Sequence, residues 1–520
     1  MNEKKVLRVG ILGFGTVGQG TWKHLVENEK AWERILGVQL IPTRASVRSL
    51  SKKRAFAIDP TCITTDSLSI VEDPDIDIVC ELIGGIEEAK KLTLRAFSMG
   101  KSVITANKAL ICDHGDELFK AAETAGVRYA FEASVAGGIP IIKVLRESLV
   151  ANEFPLIYGI MNGTSNYILT RMENEGATFD DVLGDARELG YVEADEALDL
   201  DGVDAAHKAV ILGYLAHGMW IDLKDTTVEG IRRISNEDLA AARDLNCKIK
   251  LIGVIRRSFE KNYVSVGVYP ALVPINEIIA QTDGVFNGIS LTGTVVGTVV
   301  LTGRGAGQDP TAGSVISDVV DVVKGMQGSA LPPKLLHVTP DECKPAPSQE
   351  ISGCFYLRLS VDDRPGKLAK VAENLAVHGI SLATVSQTPD EKSESASIIL
   401  TTHQTNEHSI GLAIDSLEQL DGVKEKPVIN PEELIGFTVI AEHNNVQQRA
   451  KVVQWTPQEG KMLTSMYLTA AMFVLGKSEF KYEKEIVSEK EGLRNSIFFN
   501  CFSVFLFISF FISIQTFKIL

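Results

Sequence analysis

The chain has 520 residues, of which 45% are hydrophobic and 23% are charged, a composition typical of a globular protein with about two to four domains. Its formal net charge of −15 argues against a nucleic-acid partner, because proteins that bind nucleic acids present a basic face. The seven cysteines form no CxxC pair and the charged first residues do not resemble a signal peptide, so we expect reduced thiols in a cytoplasmic protein.

A glycine-rich turn follows the first predicted strand, Val6–Leu12, and precedes a helix predicted at 19–28. The turn has the pattern GxGxxG and consists of Gly13, Phe14, Gly15, Thr16, Val17 and Gly18. Between a strand and a helix, such glycines permit a tight turn, close approach of the backbone to a pyrophosphate, and close helix–strand packing. We therefore expect a Rossmann-type dinucleotide-binding domain; the alternative is an ordinary glycine-rich turn of an α/β protein.

The second predicted strand, 38–47, indicates which dinucleotide is bound. An acidic residue at its end would bind the ribose hydroxyls of NAD, but none is present. Arg48 follows instead, with a basic run at 52–54, and this cluster suits the 2′-phosphate of NADP. The sequence thus favours NADP with NAD possible; the alternative is a solvated basic loop.

Further strands are predicted at 76–83, 101–106 and 127–131, and their alternation with helices indicates a doubly wound parallel sheet spanning 1–131. Ligands bind beyond the carboxyl ends of such strands. Lys108, which follows the strand at 101–106, is therefore expected in the site, although a surface lysine is the alternative.

A second, α+β domain is predicted at 132–330, with strands at 156–161, 263–268 and 293–301 in a mixed sheet that builds the substrate pocket and a subunit interface. It closes with the segment GRGAGQDPTA and a helix predicted at 314–324, which could return to the nucleotide domain. Glycines before a helix form either an anion-binding turn or a hinge.

The stretch 193–216 combines several carboxylates with one lysine on an apolar helix. Asp204 and Lys208 are spaced i,i+4 and share a helix face. A lysine that enters a core beside carboxylates is suited to proton transfer. The alternative is a snorkelling lysine in an ordinary helix ion pair.

The segments GFGTVG, ELIGG, TANKAL, FEASVAGGIPI, NGTSNYIL, 193–208 and GRGAGQDPTA, in this order over 6–325, resemble homoserine dehydrogenase. The resemblance implies NAD(P)H-dependent interconversion of L-aspartate 4-semialdehyde and L-homoserine, in threonine, methionine and isoleucine biosynthesis. It also implies a homo-oligomer, a dimer or a tetramer. In the GRGAGQDPTA loop, Arg304 occupies a position where the family has small residues or proline.

The resemblance implies roles for four groups of residues. Catalysis would involve Lys208, Asp204 and Lys108. Substrate binding would involve Glu193, Asp199, Gly163 and Thr164, with the two acids on the substrate ammonium. Cofactor binding would involve the six residues of the glycine turn, Lys108 and Gly305, and the basic cluster after the second strand adds Arg48. A monovalent cation, sodium, would be bound at Glu132, Val135, Gly137 and Ile139, mostly by backbone carbonyls.

A proline-rich linker is predicted at 331–353, and 354–430 is predicted as βαββαβ with Asp363-Arg364-Pro365-Gly366 before its first helix. This order resembles an ACT domain. The resemblance implies an amino-acid effector, threonine, at an interface between two such domains near Asp363 and Gly366. A purely structural dimerisation module is the alternative.

The extension 431–520 contains an apolar stretch at 497–514, just long enough for a membrane anchor. Its Phe-, Ile-, Ser-, Asn- and Lys-rich composition also fits translated AT-rich non-coding DNA, and we favour an artefact or an extension over an anchor. The alternatives to an enzyme are a membrane-tethered scaffold and a non-catalytic amino-acid-binding regulator. The regulator predicts loss of Lys208 or of the turn glycines, and all of these are present.

Overall fold

The structure is a computed structural model that describes residues 5–192, 196–328, 335, 342–390 and 394–432. Glu193 and the apolar stretch at 497–514 lie outside these residues. Among the described residues, no helix combines the length and the apolar character needed to cross a membrane.

The first sheet has six parallel strands in the spatial order β3-β2-β1-β4-β5-β6. These strands are β1 (Val6–Leu12), β2 (Gln39–Ser46), β3 (Ile63–Thr64), β4 (Ile78–Glu81), β5 (Ser102–Thr105) and β6 (Tyr129–Ala130). The predicted Rossmann-type sheet is confirmed, and β1 has the predicted bounds. The strand order reverses between β1 and β4, which places the ligand crevice at their carboxyl ends.

Helices cover both faces of this sheet. They are α1 (Thr16–Glu27), α2 (Glu29–Leu36), α3 (Ser67–Val71), α4 (Glu87–Ser98) and α5 (Lys108–Ala125). Within β4, Ile78 and Cys80 belong to the core under α1 and α2, whereas Val79 belongs to the core under α4 and α5. Burial on both faces explains why β1 reads as a nearly continuous apolar run rather than an alternating one.

The second domain contains α6 (Ile141–Lys143), α7 (Gly163–Glu175), α8 (Phe179–Glu188), α9 (Glu196–Leu200), α10 (Val203–His217), α11 (Asn236–Asp244) and α12 (Gln308–Met326). Its strands are β7 (Leu156–Ile160), β8 (Thr227–Val228), β9 (Cys247–Ser258), β10 (Tyr263–Pro274), β11 (Phe286–Gly293) and β12 (Gly297–Arg304). The spatial order β12-β11-β7-β9-β10 is antiparallel throughout, and β8 pairs parallel with β10.

Two expectations for this domain were wrong in detail. The strand predicted at 293–301 is two strands, because the chain turns at 294–296, where the Val295 and Val296 amides donate to Asn152 Oδ1. The helix predicted at 314–324 begins six residues earlier, as α12, and Pro310 lies in its first turn, where proline is tolerated. This helix packs against α1, and Gly20 leaves the space into which Gln308 fits.

The third part contains β13 (Lys344–Pro345), β14 (Ser352–Asp362), α13 (Lys367–Val377), β15 (Leu382–Asp390), β16 (Ser395–Thr402), β17 (Thr405–Asn406), α14 (Glu407–Leu417) and β18 (Val428–Glu432). The antiparallel order β18-β14-β16-β15, with α13 and α14 on one face, confirms the βαββαβ ACT fold. The last strand begins later than the predicted residue 423, and Pro427, which has no amide hydrogen to donate, immediately precedes it.

The ACT sheet turns its other face toward the second domain. Tyr356 and Arg358 alternate along β14 with residues of the ACT core, as expected for a strand buried on both faces. Both contact the carboxylate of Asp238, which is fully buried on α11. Within the predicted linker, β13 pairs with β10, so this described part is tied to the second domain.

Candidate active site

The glycine turn after β1 has the geometry of a dinucleotide loop. Gly13 has φ +95°, and a Cβ on it would lie 2.4 Å from the Leu82 carbonyl oxygen. A Cβ on Gly18 would lie 2.1 Å from the Gly13 carbonyl oxygen, so this glycine permits the close packing of α1 on β1. A Cβ on Gly15 would meet nothing within 4 Å. The open side of the turn is therefore at Gly15, where a pyrophosphate would approach the N-terminus of α1.

The other predicted cofactor residues lie around this turn. Thr16 is the first residue of α1 and is exposed, as Gly15 is, while Val17 is half-buried. Phe14 is buried against Trp22, and its amide donates to the Ser46 carbonyl at the end of β2. Arg48, just beyond that end, is exposed, whereas Arg54 donates to carbonyls of its own loop.

A buried hydrogen-bond chain fixes the start of α5. Thr105 donates to the carboxylate of Glu81 at 2.6 Å, and the Asn107 amide donates to the Thr105 hydroxyl. The Asn107 side chain donates to the Gly85 carbonyl and accepts from Leu110 at the N-terminus of α5. Burial raises the pKa of Glu81, against these hydrogen bonds. Lys108, the first residue of α5, is thereby held at the crevice.

Lys108 and Lys208 meet at one carboxylate. Lys208 Nζ lies 2.6 Å from Asp204 Oδ2 and donates to the Met161 carbonyl at 2.7 Å. Lys108 Nζ lies 3.1 Å from the other oxygen, Asp204 Oδ1. Burial raises the pKa of Asp204, but the charges of Lys208 and Lys108 outweigh it and hold the pKa well below its usual value. Asp204 is therefore an ionised, buried bridge between a lysine of the nucleotide domain and one of the second domain.

Asn162, at the end of β7, orders the acids of this site. Its side-chain nitrogen donates to Asp199 Oδ1 at 2.7 Å and to Asp204 Oδ2 at 3.0 Å. Its oxygen accepts from the Ser165 amide, so the same residue caps α7. Asp199, Asp204 and Lys208 are all buried.

The remaining predicted substrate residues surround this cluster. Gly163 is the first residue of α7, and a Cβ on it would lie 2.7 Å from the Val285 carbonyl oxygen. Thr164 donates its hydroxyl to the Tyr191 carbonyl at 2.8 Å. Tyr191 lies two residues before Glu193, the predicted substrate acid that is outside the described residues.

The loop 132–139 contains the four residues of the predicted cation site. The carboxylate of Glu132 accepts from the Ile142 and Lys143 amides, so this side chain holds the start of α6. Gly137 has φ +36°, and its carbonyl accepts from the Ser314 hydroxyl, while the Ile139 carbonyl accepts from the Ile141 amide. Val135 is buried in the core, so its side chain cannot bind a cation. Backbone oxygens are hard ligands that suit an alkali cation.

The loop at Gly305 joins this carbonyl loop to the nucleotide domain. A Cβ on Gly305 would lie 2.0 Å from Asn287 Nδ2, and the Gly305 carbonyl packs against Gly137. Further along, Gln308 donates to the Thr16 carbonyl at 3.1 Å. A side chain on Gly305 would therefore have to displace the buried Asn287 amide, and the loop reaches the first turn of α1.

Comparisons with known proteins decide the family. A homoserine dehydrogenase profile matches residues 140–320, the profile of the NAD-binding domain of homoserine dehydrogenase matches 13–132, and an ACT profile matches 355–422. A homoserine dehydrogenase from Pseudomonas aeruginosa is 41% identical over 425 residues, which cover 81% of this chain and 97% of the relative. The chain belongs to the homoserine dehydrogenase family. It is thus an NAD(P)-dependent oxidoreductase, and the non-catalytic regulator is set aside.

Solved structures show the same relationship. A homoserine dehydrogenase from Thiobacillus denitrificans has a TM-score of 0.75 and 41% identity, covering 82% of this chain and 98% of that one. A hyperthermophilic archaeal homoserine dehydrogenase in complex with NADPH has a TM-score of 0.53 and 27% identity, covering 64% of this chain and 99% of that one.

Some residues of this site were not assigned a role from the sequence. Asn107 and Asn162 each follow a strand and cap a helix, a signal that was visible in the sequence. What was not visible is that the Asn162 amide also contacts two carboxylates that are 37 and 42 residues away. The Met161 carbonyl, which accepts a hydrogen bond from Lys208, could not be identified from the sequence, because every residue has a backbone carbonyl.

Proposed function

We propose that Lys208 is the proton donor and acceptor when this chain interconverts L-aspartate 4-semialdehyde and L-homoserine. The observation that carries the proposal is the buried contact of Lys208 with Asp204 and with the Met161 carbonyl. Two acceptors direct the ammonium to one place, as a positioned acid requires. In aldehyde reduction Lys208 protonates the new alkoxide, and in alcohol oxidation neutral Lys208 removes the hydroxyl proton.

Asp204 and Lys108 support this proton transfer. Asp204 orients Lys208 and offsets part of its charge. Lys108, from the nucleotide domain, adds positive charge on the crevice side of Asp204, where it stabilises negative charge on the substrate oxygen. The nicotinamide, when bound, supplies or accepts the hydride.

Substrate binding is assigned to both ends of the amino acid. The carboxylates of Glu193 and Asp199 bind the ammonium, and Asn162 holds the Asp199 carboxylate in place. The substrate carboxylate binds at the N-terminus of α7, where Gly163 and Thr164 present backbone amides.

For the cofactor, the open turn at Gly15 receives the pyrophosphate and exposed Arg48 receives a 2′-phosphate, so NADP is preferred over NAD. Sodium binds through backbone carbonyls of Glu132, Val135, Gly137 and Ile139. The left-handed turn at Ala136 and Gly137 supports this assignment, because it bends the loop tightly. The carbonyls of Gly137 and Ile139 each accept one hydrogen bond within the fold and keep a second lone pair for a cation.

The ACT domain gives the enzyme its regulation. Threonine binds near Asp363 and Gly366 at an interface between two ACT domains, in a homodimer or a homotetramer. Gly366 has φ +90° and immediately precedes α13, and Asp363 is exposed, so this turn is open to a ligand or a second chain. The enzyme acts in the cytoplasm. The nucleotide domain spans 1–131, and α12 packs on it. The second domain spans 132–330, the linker 331–353, the ACT domain 354–430 and the extension 431–520.

The first experiment measures oxidation of NADPH and NADH with aspartate 4-semialdehyde, with and without threonine. We expect Lys208→Ala to lower turnover by about 10²- to 10⁴-fold while NADPH affinity is retained. Lys120→Ala, which removes an exposed lysine of α5, is the matched control and should keep wild-type turnover. Turnover of the Lys208→Ala enzyme close to wild type would remove Lys208 from the mechanism.

A further inference from the structure

Three side chains with metal-binding atoms meet between α5 and α10, outside the roles assigned above. Cys112 and Asp113 lie on α5 and His207 lies on α10, and their sulfur, carboxylate oxygen and imidazole nitrogen are all within 4.8 Å of one another. In the part of the chain that the structure describes, this is the one group of three or more such residues with that geometry. The three ligands come from two helices that are far apart in sequence, so tertiary packing creates the cluster.

We propose that Cys112, Asp113 and His207 bind a thiophilic divalent cation, Zn²⁺, that bridges α5 and α10. Thiolate, imidazole and carboxylate are the ligands that Zn²⁺ takes in proteins, and three of them leave a fourth position for water. The thiolate and the imidazole disfavour Mg²⁺ and Ca²⁺, which prefer oxygen ligands. Asp113 is exposed and His207 is half-buried, so both side chains can adjust to a bound ion.

A cation binds only to the deprotonated forms of the thiol and the imidazole, so the pKa values of these groups affect its affinity. Burial lowers the pKa of His207, while Asp204 and Asp113 raise it, and the imidazole is neutral and able to coordinate at pH 7. Burial raises the pKa of the Cys112 thiol to about 12, with further contributions from Asp113 and Asp222. A bound cation therefore has to displace the thiol proton, which is the usual coupling of metal binding to proton release.

The site lies next to the active-site lysines. Cys112 is four residues, about one helical turn, after Lys108, and His207 immediately precedes Lys208. A cation there ties the two helices together and adds positive charge near both ammonium groups. This disfavours the protonated lysine that aldehyde reduction needs, so Zn²⁺ should inhibit. The inhibition rests on the role proposed for Lys208, whereas the binding does not.

Two optical signals report binding without any activity measurement. Cd²⁺ bound to a thiolate absorbs in the ultraviolet, and the indole nitrogen of Trp220 donates to the Cys112 carbonyl at 3.0 Å. Titration of the full chain with Cd²⁺ should give about one thiolate band per chain and a change in tryptophan fluorescence. Cys112→Ser should abolish the band, and Asp113→Asn and His207→Gln should each weaken binding about tenfold or more.

Two cysteine variants serve as matched controls. Cys62→Ser removes a half-buried thiol, and Cys501→Ser removes one outside the described residues; both variants should bind Cd²⁺ as the wild type does. A band that persists in Cys112→Ser, or that is insensitive to both Asp113→Asn and His207→Gln, would overturn the site and indicate adventitious thiol binding. Asp113 is exposed, so its variant tests the site even if Cys112→Ser fails to fold.

Inhibition is then measured separately with Zn²⁺. Micromolar Zn²⁺ should inhibit the wild-type enzyme and leave the Asp113→Asn enzyme much less affected. Binding that depends on all three residues, with turnover unchanged by Zn²⁺, would support the site and overturn its coupling to the lysines.

Discussion

Alanine substitutions at Gly15 and Gly18 should have different effects, one on cofactor binding and the other on the stability of the fold. A Cβ on Gly18 would lie 2.1 Å from the Gly13 carbonyl oxygen, which is backbone and cannot rotate away. A Cβ on Gly15 meets nothing within 4 Å, and Gly15 has φ −85°, which alanine adopts without strain. We therefore expect Gly18→Ala to destabilise the fold and Gly15→Ala to leave it unchanged.

The expected magnitudes follow from these contacts. Overpacking of this kind lowers the free energy of unfolding by about 1–3 kcal/mol, which corresponds to a fall in Tm of roughly 2–12 °C. Gly15→Ala should stay within about 0.5 kcal/mol of wild type. Its methyl group occupies the space where the pyrophosphate approaches, so NADPH should bind about 10- to 100-fold more weakly, a loss of about 1.4–2.8 kcal/mol.

Thermal unfolding without cofactor and NADPH titration measure the two effects independently. Gly184→Ala is the matched control, because this glycine lies within α8 and a Cβ on it also meets nothing within 4 Å. That variant should be as stable as wild type or more stable by up to about 1 kcal/mol, with unchanged NADPH affinity. Wild-type NADPH affinity in Gly15→Ala, or wild-type stability in Gly18→Ala, would refute the roles given to these glycines.

Three further substitutions test buried carboxylates. Asp204→Asn keeps the shape but leaves Lys208 without its anionic partner, so turnover should fall about 100-fold or more in steady-state assays, and a change under threefold would contradict the proposed orientation. Asp238→Ala leaves Arg358 buried without its partner and should lower the free energy of unfolding by about 3–5 kcal/mol in urea titrations, whereas Asp238→Ala with Arg358→Met should recover part of that loss. Burial, against Lys143, raises the pKa of Asp318 to about 8. Because its folded pKa lies above its unfolded value of 3.8, its contribution to stability is fully present below that value and is lost as pH rises to about 8. Asp318→Asn should therefore gain on wild type in Tm over that range and no further above it, and a constant difference from pH 5 to 8 would contradict the shift.

The sequence predicted best those elements whose signal is local. The run Val6–Leu12 is predicted as a buried strand because it is a short apolar segment that ends at a glycine turn, and the strand in the structure has the same bounds. The i,i+4 spacing of Asp204 and Lys208 predicts that they share a helix face, and the structure shows that their side chains are in contact.

Long-range contacts escaped prediction for a physical reason. Residue type alone does not show that Asp204 contacts Lys108 across 96 residues, and only the family resemblance placed them in one catalytic group. Nor does it show that Asn152 turns the chain at 294–296. Such contacts depend on how packed elements meet, and the same residues would be stable in other environments. The connection between the sheet of the second domain and the ACT sheet is also a long-range contact, because a single residue pair between β10 and β18 joins them.

The position of the charged cluster is set by apolar packing some distance away from it. Phe119 of α5 stacks on Tyr214 of α10 with ring centroids 5.6 Å apart, and Trp220 packs against both rings. Ion pairs in a buried site are stabilising only with good geometry, because removing the charges from water costs several kcal/mol. Aromatic packing of α5 on α10 supplies that geometry without being sensitive to protonation or salt. In the proposed mechanism, Lys208 can therefore change protonation during turnover while the helices that carry the two lysines stay in place.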